Sequence, residues 1–305
     1  MKDREGVLRF GRRPRPLGLS DLAILVRAPA ALSVPGDIIA GAAAAGRPFG
    51  PRVPGVIASS VCLYWAGMAL NDYADAAVDA VERPQRPVPS GRVPRRTALG
   101  VACALTTAGL GLAAVSGGRR SLAVALPLTG LVWAYDLKLK STPAGPAVMA
   151  GARALDVLAG AAAAGPVRRG VVPAALVGLH TYTLTVLSRH EVSGAPARLP
   201  ASTLAASATT ALAAALPTGT PATRAGTAVA GTAVAGYLGT YGLAQARAVR
   251  EPSGPNVRRA VGAGILGLVP LQAALTARAG APAVAALLGA VHPLARRLAR
   301  RVSPT

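Results

Sequence analysis

A chain of 305 residues is long enough for two soluble domains, but 52% hydrophobic residues, only 15% charged residues and a positive mean hydropathy exclude an ordinary soluble protein and indicate a polytopic membrane protein. The formal net charge of +21 does not indicate a nucleic-acid partner, because Lys and Arg are spread over short loops and form no single patch; the anionic head groups of a lipid bilayer are the expected counterpart. Two cysteines, Cys62 and Cys103, lie inside apolar segments and imply neither a disulfide framework nor a metal site.

Residues 1–20 read as a basic cytoplasmic tail and not as a cleaved signal peptide, since the apolar stretch that follows is too long for a signal core. Apolar runs near the length of a bilayer-spanning helix then recur at about 21–46, 53–73, 95–116, 121–137, 143–165, 171–188, 201–217, 225–246, 259–277 and 281–295. Lipid offers no partners for backbone amides, and no period-two alternation suggests a barrel, so the expectation is an all-α bundle of nine or ten transmembrane helices, the last run being short enough to lie at the interface. Residues 21–300 form a single domain on this reading, and 301–305 a short tail. With the amino terminus inside, alternate loops and tails carry 23 Lys and Arg on the cytoplasmic side against 8 on the other, leaving Arg27 and Arg153 within spans. That bias predicts a cytoplasmic amino terminus.

Of only twelve acidic residues, four fall between positions 72 and 82, immediately after the second span: Asp72, Asp75, Asp79 and Glu82. If that helix continues past its apolar run, Asp72, Asp75 and Asp79 share one face, with Asn71 adjoining Asp75. Like charges on one face repel, and a divalent cation reverses the cost: Mg2+ takes hard oxygen ligands and is commonly held by one or two carboxylates together with substrate phosphates. The bland alternative is a solvated helix end whose acids pair with neighbouring arginines. Pro84, Pro87 and Pro89 predict that the helix stops near Glu82 or Arg83. The loop would then return Arg83 and Arg86 toward the carboxylates, where guanidinium forks suit phosphate oxygens. Acids, arginines and an apolar bundle together describe a site for an anionic phosphate head on a greasy tail, such as an isoprenyl diphosphate.

These residues resemble the UbiA superfamily of intramembrane prenyltransferases, whose first signature is N-D-x-x-D-x-x-x-D followed by R-P-x-R-P-x-x-S-G. Here it reads NDYADAAVD and RPQRPVPSG, at Asn71, Asp72, Asp75, Asp79, Arg83, Pro84, Arg86, Pro87, Ser90 and Gly91. YDLKLKSTPAGP, with Tyr135, Lys138, Lys140 and Thr142, is similar to the family's Tyr-x-x-x-Lys stretch after the fourth span. The second Asp-rich motif expected after the sixth span is replaced by LSRHEVSGAPAR, a departure that looks like the EboC-like branch. The resemblance implies transfer of an isoprenyl group from a prenyl diphosphate to a small-molecule or lipid acceptor. It implies Mg2+ as cofactor, held by Asn71, Asp72, Asp75, Asp79 and Glu191, and diphosphate bound by Arg83, Arg86, Lys138, Lys140 and Arg189. Asp72, Asp75, Asp79 and Tyr135 are then the catalytic set. A non-catalytic transporter or carrier that keeps the phosphate-binding mouth is the alternative.

Other polar residues inside spans need an account, because such groups are costly in lipid. Arg153 and Asp156 are three apart in the fifth span and either neutralise one another or read the acceptor. Asp37 either meets Arg27 or Arg153, or lines the substrate cavity. His190, beside Glu191, is placed near the head group, whereas His180 and His292 are expected to make ordinary polar contacts. Tyr64, Trp65, Tyr73, Trp133, Tyr135 and Tyr182 could face a carbocation or anchor the helices at the interface. The strings GAAAAG at 41–46 and 160–165 read as close-packing surface and not as a repeat.

Overall fold

The computed structural model of the chain describes residues 18–216 and 223–290. Nearly all of the amino-terminal tail, the carboxy-terminal tail, His292 and the end of the last expected span lie outside the described residues. Among the described residues every regular element is helical. The main ones are α1 (Leu19–Leu25), α2 (Val34–Ala44), α3 (Val53–Ala74), α4 (Ala76–Glu82), α5 (Arg95–Ala134), α6 (Gly145–Ala164), α7 (Val171–Ser188), α8 (Arg198–Ala215), α9 (Arg224–Tyr237), α10 (Leu243–Arg250) and α11 (Gly254–Arg278). Five continuous helical stretches, beginning at Val53, Arg95, Gly145, Val167 and Gly254, are long and apolar enough to cross a membrane. The chain is therefore an integral membrane protein built as an all-α bundle.

One expected span differs instructively from the sequence reading. The first is not one helix. Arg27 adopts a left-handed backbone (φ 47°), residues Ala28–Ser33 form a 3-10 turn with Pro29 as its second residue, and only the eleven-residue α2 follows. Pro29 and Pro35 each lack an amide donor, so both sit at the first turn of a new element, where none is needed. The third and fourth spans do separate as expected. The helix labelled α5 reverses at Gly118, whose φ of 59° and ψ of −144° suit a residue without a Cβ. Its two arms lie against each other, with the Trp133 indole donating to Thr106 Oγ1 at 3.1 Å. A π-turn, Tyr135–Leu139, closes the second arm, and another, Leu238–Gly242, joins α9 to α10.

Inside the bundle α2 packs closely against α6. A Cβ on Gly41 would overlap the Val157 carbonyl, and one on Gly160 would overlap that of Ile38. Backbones this close exclude any side chain at either position, and the two GAAAAG strings belong to these two facing helices. Around them, Ala40, Val157, Val177, Tyr237 and Leu271 form one apolar core, and Ile38, Val53, Val56, Val124 and Ala159 a second.

The loops collect at two ends. At one, Asp75 meets Lys140, Arg189 donates to the carbonyls of Lys140 and Thr142, the Ala195 amide donates to Pro252 O at 2.9 Å, and Arg258 donates to Glu191 O at 3.4 Å. At the other, Arg169 donates to Ala45 O at 3.5 Å and Arg278 Nε to Leu216 O at 2.9 Å. The alternation of loops expected from the spans is thus realised, and the acidic stretch and the Tyr135–Lys140 stretch share one end.

Candidate active site

The acidic stretch begins on α3 and does not continue as one helix. At Asp75 the backbone leaves the helical region (φ −86°, ψ 4°), α4 restarts at Ala76 and ends at Glu82, and Arg83 leaves the helical region again (φ −144°, ψ 61°). The stop at Glu82 is where the prolines require it; the break at Asp75 corrects the expectation of a single acidic face. Its effect is to turn the acids in different directions. After Arg83 the loop folds back through Ser90 Oγ to Pro87 O (3.2 Å), Arg92 Nη2 to Gln85 O (2.6 Å) and the Val93 amide to Pro87 O (2.9 Å). Gly91 allows the turn, with φ of 74°.

That return carries Arg86 into the acids. Its Nη1 lies 2.5 Å from Asp79 Oδ2 and 3.6 Å from Asp72 Oδ1, and both carboxylates are buried, at 2% and 1% exposure. Arg83 approaches Asp79 at 3.9 Å. Arg27 reaches over from the break before α2 to Asp72 Oδ1 at 3.0 Å and to Asn71 Oδ1 at 3.5 Å. Asn71 in turn donates from Nδ2 to Asp136 Oδ1 at 3.2 Å, on the π-turn. Asp75 points the other way, onto Lys140 Nζ at 2.5 Å. Arg27 and Asp136 were not among the residues expected at the mouth. Their signals were a lone arginine and an acid within or just after apolar spans, both costly unless used.

Two buried carboxylates converging on one guanidinium nitrogen are also positioned to share one small cation. The donors are hard oxygens from Asp72, Asp79 and the neighbouring Asn71, a set that suits Mg2+ completed by phosphate oxygens and water. Among the described residues no three of His, Cys, Asp and Glu form a preformed cage.

Below the mouth opens a cavity of about 250 Å³. Arg27, Asn71, Tyr135 and Asp136 line its upper end, Leu63, Gly67, Met68, Leu128 and Val132 its walls, and Ser60, Arg153 and Asp156 its floor. Tyr64 and Tyr135 face it, whereas Tyr73 lies under the Arg95 guanidinium at 4.4 Å and Trp133 is engaged by Thr106. Arg153 meets Asp37 at 2.8 Å, and Asp156 accepts from Ser60; of the two pairings considered for Arg153, the structure forms the one with Asp37.

The 189–194 loop borders the mouth without joining the acid set. Arg189 holds the 140–142 turn through its carbonyls. Burial raises the Glu191 carboxyl above its ordinary pKa, an effect opposed by the nearby charges of Arg258 and Arg83. His190 is half-buried and Lys138 exposed. His180, deep between helices, contacts Tyr237 Oη at 3.0 Å and Gly264 O at 3.2 Å, the ordinary polar role expected of it.

Known proteins agree with this architecture. The digeranylgeranylglyceryl phosphate synthase of Methanopyrus kandleri is 44% identical over 110 residues, 36% of this chain and 38% of that protein. The synthase of the same name from Halobacterium salinarum is 37% identical over 174 residues, 56% and 61% of the two chains. These matches span less than two thirds of the relatives' own length, and their names give no support to the EboC-like branch. Among solved structures, a digeranylgeranylglyceryl phosphate synthase superposes with a TM-score of 0.65 at 17% identity, over 86% of this chain and 98% of that one. A UbiA homologue from Archaeoglobus fulgidus bound to GPP and Mg2+ superposes with a TM-score of 0.60 at 17% identity, over 81% and 99%. Identity that low speaks for the fold. Residues 34–268 match the UbiA prenyltransferase family, and the chain belongs to it.

Proposed function

We propose that the protein is a Mg2+-dependent prenyltransferase that moves an isoprenyl group from a prenyl diphosphate to an acceptor held inside the bundle. The observation that carries this reading is the convergence of Asp72 and Asp79 on Arg86, above a mainly apolar cavity. Asp72, Asp79 and Asn71 would hold Mg2+, which would supply Lewis-acid neutralisation of the leaving group. Arg86 and Arg83, displaced from the acids, hold phosphate oxygens, and Lys140 and Arg27 add charge at the rim. Scission of the allylic carbon–oxygen bond sends the electron pair to the diphosphate. Tyr135 and Tyr64 line the cavity where their rings stabilise the cation left on carbon, and the apolar walls keep water from it. The acceptor then donates its electron pair to that carbon and loses a proton.

Homologues bound to DMAPP or GPP with Mg2+ support the donor class and the metal. Further proposals are the plasma membrane as location, a cytoplasmic mouth and amino terminus, and one domain over 21–300 with a short tail at each end. Glu191 and Arg189 serve as rim charges in this reading, beside Lys138 and His190.

The test is labelled geranyl diphosphate presented to the protein in membranes. Diphosphate release that requires Mg2+ and disappears in Asp72→Ala is the expected result. Tight binding without turnover would instead make the protein a carrier.

A further inference from the structure

We infer that the polar floor of the cavity selects a neutral, hydroxyl-bearing acceptor and rejects an anionic one. This rests on the prenyl-transfer reading and assigns its acceptor class. The floor lies at Ser60 on α3, eleven residues below Asn71, a depth of roughly 16 Å at the helical rise. That depth leaves room for the diphosphate and reacting carbon at the top and an acceptor head beneath them.

The charges of the floor decide what the head can be. Arg153 is matched by Asp37 at 2.8 Å, and Asp37 is further fixed by Gln272 Nε2 at 2.7 Å, which also donates to Ser33 O at 2.8 Å. Asp37 is not among the residues lining the cavity, and its charge offsets that of the arginine across a buried ion pair. Asp156 adds a second carboxyl beside the same arginine, and it lines the cavity at 6% exposure with Ser60 donating to it. Whether or not Asp156 carries its proton, the floor has no net positive charge to offer a carboxylate or phosphate. It does offer a carboxyl, a hydroxyl and a guanidinium edge, which together accept from and donate to hydroxyl groups. A polar floor is expensive inside a bilayer, and a merely structural one would not need to face the cavity.

The experiment uses the full chain in lipid nanodiscs with labelled geranyl diphosphate, Mg2+ and four acceptor probes: glycerol, myo-inositol, sn-glycerol 1-phosphate and 4-hydroxybenzoate. The expected result is transfer to a neutral polyol in preference to either anion. Asp156→Asn and Ser60→Ala should each raise the KM for that polyol by about tenfold, the loss expected when a buried polar contact goes, while donor affinity and, for Asp156→Asn, the melting temperature stay near wild type. Asp37→Asn, which removes the ion-pair partner of Arg153, should lower the melting temperature instead. The inference is overturned if either anion is the better acceptor, if both polyols are ignored while the donor binds and is cleaved, or if Asp156→Asn leaves the acceptor KM unchanged. Failure to cleave the donor under any condition would sink the prenyl-transfer reading, and this inference with it.

Discussion

Asp75 and Lys140 meet at 2.5 Å, joining the loop after α3 to the turn after α5 at the mouth of the cavity. Both side chains remain about a quarter exposed, so solvent screens the pair. The pair is consequently a positioning contact in the resting protein and a supply of charge when diphosphate arrives.

Lys140→Met should for that reason separate stability from activity. A partly exposed ion pair contributes no more than about 1 kcal/mol, so the melting temperature in detergent should barely move. Diphosphate release should fall by about a hundredfold, the scale on which one electrostatic stabiliser of a leaving group acts. A loss of stability with activity intact would show the lysine to be a structural strut.

Arg27 makes a second case for function held at the expense of backbone comfort. Its left-handed conformation costs about 1–2 kcal/mol for a residue with a Cβ, yet it aims the guanidinium at Asp72 and Asn71. Arg27→Gly removes the strain and the charge together, so its stability should stay within about 1 kcal/mol of wild type. Arg27→Ala keeps the strain and loses the pair, and should melt lower than Arg27→Gly. Both variants should bind geranyl diphosphate about tenfold more weakly, the scale of a lost charged hydrogen bond, as measured by titration in the presence of Mg2+.

Much of this was legible in the sequence, and what was not has a physical reason. Spacing fixed the acid cluster, its proline-terminated helix and the returning arginines, because those signals are local. The break at Asp75 was not visible, since nothing at Ala74, Asp75 or Ala76 forbids a helix. The hairpin at Gly118 was visible through Gly117 and Gly118 followed by two arginines. The collapse of the first span into α1, a 3-10 turn and α2 hid within an apolar run whose prolines tolerate either outcome. Arg27 and Asp136 were missed as site residues because their partners, Asp72 and Asn71, lie far off in sequence. Asp37 with Arg153 was one of the pairings open to the sequence; only packing of α2 on α6 chooses it.

Glu191 lies outside the spanning helices and gives the loop a pH signature. Burial raises its pKa above the ordinary 4.5, against the pull of Arg258 and Arg83. A carboxyl with a raised folded-state pKa favours folding most when protonated, so its contribution is full below the unfolded pKa and is lost as pH rises through the folded one. Glu191→Gln should match wild type in acid and melt higher than wild type at neutral pH. The comparison is a pair of melting curves across pH 4–8 in detergent, a range chosen around the ordinary carboxyl value. A variant that melts lower at neutral pH would mean that the arginines outweigh the burial.

The contact between α2 and α6 sets the rest of the cavity, because it fixes Asp37 opposite Arg153. Gly160→Leu would drive a branched side chain into the Ile38 carbonyl, where backbone cannot yield as a flexible side chain can. Overpacking typically costs 1–3 kcal/mol, and a clash with backbone in a close-packed helix pair should reach at least about 3 kcal/mol. Gly100→Ala on α5 is the control, since a Cβ there meets nothing within 4 Å. That change should be neutral or stabilising by about 0.5–1 kcal/mol, as glycine is a poor helix former. Thermal melting of the two variants side by side tests the argument. If Gly160→Leu melts like Gly100→Ala, the helices are not in contact along this face, and the placement of Arg153 at the cavity floor falls with it.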